Sequence, residues 1–385
     1  MAVEFKAGLK DVIAVHSAIS TVDGETGELT YRGYEIGDLA AHATYEEVVY
    51  LLWYGELPTA QQLTEFTARL FAARPLTEGV LASMRTYPKT AHPLEALRTA
   101  VSLAGMYDPD AHSNAGDANT RKAIRLTAQI PVMVAAWYHL HRGEEPIATR
   151  TDLSTAENFL YMLSGKMPSA VATKTMDLVF LLHADHEINA STFATRVVVA
   201  TFSDLHSAIV AAIGALKGPR HGGANEDVLA MLLDIREPGK ARSFIQHKLD
   251  ERARMTKEER AMPENRIPGF GHPVYKVDDP RAGVLRERAR QLSAEAGTSK
   301  VFDTAVQVYE TMHRETDFPV NVDFFSAVVY HALGIPIDLC TSIFACARIP
   351  GWCAHAMEQY HGRLIRPRAQ YVGPPRRAVV PLARR

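Results

Sequence analysis

Beyond residue 35, almost every segment of this chain repeats one pattern: a capping residue, a run with apolar positions three and four apart, then a turn. Thr44 and Glu47 form a capping box, in which the threonine oxygen accepts from an early amide and the glutamate reaches back. Val48, Val49, Leu51 and Leu52 supply the apolar face, and Gly55 is a stop. Thr59 and Gln62 repeat the device. Further helical patterns lie near 93–106, 119–141, 153–164, 169–184, 191–202 and 204–217, then 225–236, 241–258, 281–296, 299–315, 323–333 and 337–360. Pro131 predicts a kink in one of them. Only the opening differs: residues 12–15 and 29–32 are β-rich runs, the second preceded by a turn-rich stretch at 23–27. The expectation is a mainly α fold with a short N-terminal β-hairpin.

Two turn-rich loops interrupt the helices, KGPRHGGAN at 217–225 and PENRIPGFGHPVYKVDDP at 263–280. They bracket a smaller domain at 221–323, set into a larger helical domain made of 1–220 and 324–385. Functional loops at the hinges of such an insertion are a common arrangement. A chain of 385 residues, 47% of them hydrophobic, has ample material for this core.

The net charge of −2 excludes bulk attraction to nucleic acid or an acidic membrane, so an anionic partner needs a local cluster of basic groups. The longest uncharged stretch, 126–141, contains Gln129 and Pro131 and is too short and polar to span a bilayer. The N-terminus has no apolar signal core. Three sparse cysteines, Cys340, Cys346 and Cys353, match no zinc spacing and read as small apolar fillers on one helix. A cytoplasmic protein is expected.

The loops carry the chemistry. His221 stands before Gly222-Gly223, where the backbone can turn sharply and a ligand can approach closely. A helix N-terminus nearby, capped by Asn225, would disfavour imidazolium and leave a neutral donor. His272 follows Gly271 and precedes Lys276 and Arg281, a basic setting for an anion. Ordinary loop histidines would fit the same residues. Asp323 precedes Phe324 and Phe325: it is either a helix cap or a base whose pKa is raised by apolar neighbours. Arg348, on an apolar helix, needs either a substrate carboxylate or a structural acid. His183, Asp185, His186 and Glu187 crowd titratable groups into five residues, so a metal-dependent hydrolase is a distant alternative. There is no P-loop and no strand–GxGxxG–helix unit.

Taken in order, LLHADHEINAST, LKGPRHGGAN, PGFGHPVYKVDDPR, NVDFFS, FACARIPGWCAHAMEQ and RLIRPRAQYVGP closely resemble the citrate synthase family, over nearly the whole chain. The resemblance implies a helical dimer with a large and a small domain. It implies Asp323 as the base at the acyl carbon, His221 as the donor to the thioester oxygen and His272 as the donor to the oxaloacetate ketone. It implies that His186, Arg281, Arg348 and Phe344 surround oxaloacetate, with Arg366 reaching the partner subunit's site. Contacts to coenzyme A are implied for Gly269, Phe270, Gly271, Lys276 and Asn321. The thioester is a substrate, and no metal or other cofactor is implied. GFGHPVY and NVDFFSAV equally resemble 2-methylcitrate synthases, so propionyl-CoA stands beside acetyl-CoA as the acyl donor.

Overall fold

The computed structural model describes residues 5–9 and 12–385. Its single sheet, among the described residues, is a three-stranded antiparallel meander of β1 (Ser20–Asp23), β2 (Glu28–Tyr31) and β3 (Tyr34–Glu35), with Ser20 opposite Tyr31. The expected strand at 12–15 is not one. Ile13 is 85% exposed, and β-branched residues favour a strand only where a face packs against something. The hairpin forms instead around the 23–27 turn, where Asp23 accepts from the amides of Glu25 and Thr26.

Everything else of regular structure is helical. Both early capping boxes form, starting the helices Tyr45–Tyr54 and Ala60–Ala72, and Gly55 ends the first at φ 91°. Pro131 lies inside Gly116–Leu140, which continues through it as one helix. The helix expected over 241–258 stops at Ala253 and restarts as Lys257–Arg260, because Thr256 and Glu259 form a capping box of their own. Asn225 is not the cap expected of it. Gly223, at φ 87°, takes that position, and Asn225 is buried inside the helix Ala224–Ile235.

At the centre lies Cys340–Gln359, apolar and buried on nearly all sides, which is the pattern of an interior helix. It packs against Gly116–Leu140, Ala190–Val199, Leu205–Leu216, Ala170–His183 and Tyr45–Tyr54. Trp352 and the three cysteines are fully buried in it, and burial pushes all three thiols up. The helix Pro280–Ala296 packs on Val322–Ala332 and on Ala170–His183. Among the described residues no helix is long and apolar enough to cross a membrane.

Candidate active site

Three loops, two helix starts and the central helix meet at one cavity of 410 Å³. His186, His221, Gly271, His272, Arg281, Asn321, Asp323, Phe344 and Arg348 all line it. Backbone hydrogen bonds join two of the segments that line it. Phe270 bridges Val320, Gly271 N–H donates to Pro319 O (2.8 Å), and Asn321 N–H donates to Gly269 O (3.0 Å). This fastening joins the loop that carries His272 to the start of the helix that carries Asp323. Gly269 is required there, since it has φ 81° and an added Cβ would collide with Phe324.

Asp323 is not a cap. Asn321 caps the helix Val322–Ala332 and accepts from Asp323 N–H (3.1 Å), leaving the Asp323 carboxyl facing the cavity. Burial raises its pKa to about 6, against the pull of Arg281 and Arg348. His272 is oriented by its own loop, since Nδ1 accepts from the amides of Val274 and Tyr275, each at 3.0 Å. Its ring proton therefore sits on Nε2. Burial, and then Arg281, lower its pKa to about 4. His221 Nε2 lies 2.8 Å from Ser191 Oγ, which also accepts from Trp352 Nε1 (3.1 Å). Burial and Arg348 lower this histidine to about 4 as well. At neutral pH the Asp323 carboxylate is thus ionised and the imidazoles of His221 and His272 are uncharged.

The surrounding groups are cationic or aromatic. Arg348 Nε donates to His183 O (2.6 Å), its guanidinium lies 4.5 Å from the Phe344 ring centroid, and among the described residues no carboxylate lies within 4 Å of it. Burial lowers its pKa to about 10. Of the two partners the sequence left open for Arg348, no structural acid pairs with it among the described residues. Arg281 differs: its fork is held by Asp279 (2.9 and 2.6 Å), the cap of its own helix. His186 Nε2 lies 3.2 Å from Tyr275 Oη, and burial, Arg281 and His272 keep its pKa well below the usual value.

Other expected residues stand outside this cavity. Phe270 packs on Phe324 and lines a neighbouring cavity of 360 Å³, shared with Arg252, Arg260, Arg266, Gly271 and His272. Lys276 is exposed and lines neither cavity, and Gly269 lies behind the loop. Arg366 is exposed on the extended segment after the last long helix, and it does not line this chain's cavity. The cluster at 183–187 does not converge. His183 Nδ1 bonds Val179 O (2.8 Å), Asp185 faces Ser20 and His355, and only His186 and Glu187 reach the cavity. Among the described residues, one trio brings three ligand atoms within 4.8 Å of one another: His186, His272 and Asp279. Both oxygens of Asp279 are already taken by Arg281. Sequence reading missed Asp279, Ser191, Tyr275 and Arg220. All four lie within the segments that carry the family resemblance.

A helical body in which a cavity sets a carboxylate among imidazoles and guanidiniums has the make-up of a condensing transferase acting on anionic substrates. The chain belongs to the citrate synthase family: the family model "Citrate synthase, C-terminal domain" matches residues 8–368. It is 46% identical to "Citrate synthase 2" of Bacillus subtilis, over 98% of both chains. It is 40% identical to "2-methylcitrate synthase" of Shewanella oneidensis, again over 98% of both. The citrate synthase of Thermoplasma acidophilum, solved as a ternary complex with carboxymethyl coenzyme A and oxaloacetate, superposes with a TM-score of 0.89 at 31% identity, covering 99% of each chain. The enzyme is therefore an acyltransferase of the condensing type.

Proposed function

We propose that this enzyme condenses acetyl-CoA with oxaloacetate and water to give citrate and coenzyme A. The observation that carries the reading is the meeting of Asp323, His221 and His272 at one cavity. Asp323 removes a proton from the carbon beside the thioester. His221 donates to the thioester oxygen as negative charge develops there, from Nδ1 when the Ser191 hydroxyl donates to Nε2. The new carbanion attacks the oxaloacetate ketone, whose oxygen takes the His272 Nε2 proton, and water then cleaves the thioester. A carbon acid this weak needs such help: one preorganised donor at the developing charge is worth roughly 3–4 kcal/mol. His186, Arg281, Arg348 and Phe344 hold the oxaloacetate end.

Coenzyme A lies along the 269–276 loop, with Gly269, Phe270, Gly271, Lys276 and Asn321 as its contacts. The neighbouring cavity, with Arg252, Arg260 and Arg266, supports this by offering cations for phosphates. Residues 221–323 act as the small domain that closes over 1–220 and 324–385 and expels water from the cavity. A homodimer, in the cytoplasm, is the working form. Its support is the 361–385 segment, where Tyr371, Val372 and Leu382 are 77%, 88% and 80% exposed, apolar surface that a second copy would cover. Arg366, on this segment, reaches the partner's cavity.

A thiol-release assay with oxaloacetate and each thioester tests the acyl donor. The expected result is a higher kcat/KM for acetyl-CoA. The reverse ranking would make the enzyme a 2-methylcitrate synthase with the same mechanism, a reading that the relatives named for that activity also support.

The pH profile follows from Asp323. A base must be ionised, and burial places this carboxyl near pH 6. The expected kcat/KM for the thioester falls about tenfold per unit below that point and is level above it. His221 and His272 are already uncharged there, so they add no limb. A flat profile between about pH 5 and pH 8 would remove Asp323 from the role.

A further inference from the structure

His186 sits in a turn whose backbone is fixed from outside the cavity. Gly351 N–H donates to Ala184 O (3.1 Å), and the Tyr31 hydroxyl lies 2.8 Å from Asp185 O. A Cβ at Gly351 would collide with Ala184 O and Asp185, so the central helix lies directly against this turn. On the far side of His186, Ser20 Oγ accepts from Glu187 N–H (2.9 Å) while donating to the Asp185 carboxylate. Glu187 has φ 52°, a region that non-glycine residues seldom occupy without support. Ser20 therefore holds the residues on both sides of His186.

The polar chain continues away from the cavity. Asp185 Oδ2 meets His355 Nε2 (3.2 Å), and His355 Nδ1 accepts from Arg196 (3.0 Å and 3.2 Å). With Nδ1 accepting, Nε2 carries the hydrogen toward Asp185. Arg196 pairs with Glu358, and Glu358 Oε1 accepts from Ala18 N–H (2.8 Å). The chain thus begins at Ser20 and returns to the same segment two residues earlier, as a closed ring. Asp185, Arg196 and His355 are almost wholly buried. Buried ionic groups rarely stabilise a fold more than apolar ones of the same shape would, so their use here calls for another role. None of the ring's own side chains lines the cavity. They reach the site only through the peptide groups around His186.

We propose that this ring sets the position of His186, and that Ser20 and Asp185 are positioning residues for the dianionic oxo-acid substrate, a role that rests on the function proposed above. Ser20 belongs to the N-terminal hairpin, so that hairpin is a working part of the site. The test compares the full-length enzyme with Ser20→Ala, Ser20→Thr and Asp185→Asn. It measures kcat, the KM of each substrate, oxaloacetate binding by calorimetry and Tm. Ser20→Ala is expected to raise the oxaloacetate KM about tenfold, with kcat within about twofold of the parent and the acetyl-CoA KM unchanged. Ser20→Thr keeps the hydroxyl and is expected to restore the parent value. Asp185→Asn, which keeps the shape, is expected to weaken oxaloacetate binding in the same direction. A lower Tm for Ser20→Ala with an unaltered oxaloacetate KM would show a structural role only and overturn the proposal. Parent enzyme that neither binds oxaloacetate nor releases thiol would overturn the function itself, a result distinct from the first.

Discussion

Asp323→Asn is expected to lower turnover by roughly a thousandfold while leaving oxaloacetate binding near that of the parent. Asparagine keeps the shape of aspartate and has no basic oxygen of comparable strength. The substitution leaves the Asn321 cap in place, because that cap bonds the backbone amide at 323 and not its side chain. Helix and cavity should therefore survive, and single-turnover thiol release beside calorimetry with oxaloacetate would separate chemistry from binding. Turnover within tenfold of the parent would mean that another group takes the proton.

His272→Ala is expected to cost about a hundredfold to a thousandfold in kcat. The ring is anchored by two backbone amides at Nδ1, so its Nε2 hydrogen is fixed before substrate arrives. Fixed donors stabilise developing charge without having to reorganise. The same anchoring means that the alanine variant loses a bond from the amides of Val274 and Tyr275, and the loop around them should loosen. Stopped-flow kinetics with the alanine variant, read beside its circular dichroism, checks the size of the effect. Unchanged kcat in a folded variant would remove His272 from the mechanism.

The helices were legible because their signals are local. A threonine with Glu or Gln three residues on, just ahead of an apolar run, signals a helix start, and the boxes at Thr44 and Thr59 both form. The same Thr–Glu spacing at Thr256 marks the break after Ala253, which the apolar pattern alone ran across. The strand expected at 12–15 failed for the opposite reason: pairing partners are not written in a segment's own residues. At the site, glycine-flanked histidines and an aspartate among phenylalanines were visible as candidates. Their convergence was not, because it depends on backbone bonds between 269–271 and 319–321 that leave no side-chain trace. The hold of Asp279 on Arg281 was hidden because the aspartate reads equally well as a cap, and it is both.

The fastening of the 269–271 loop to residues 319–321 has a consequence for how this chain can diverge. Main-chain groups make those bonds, so the identities of Pro319 and Val320 matter less than their count. An exchange of one residue for another there leaves the main-chain joint in place. Adding or deleting a single residue within 319–323 is another matter. It would shift the register by one and bring Val322 or Phe324 to the place of the acid, leaving a folded protein with an apolar side chain where the proton acceptor belongs.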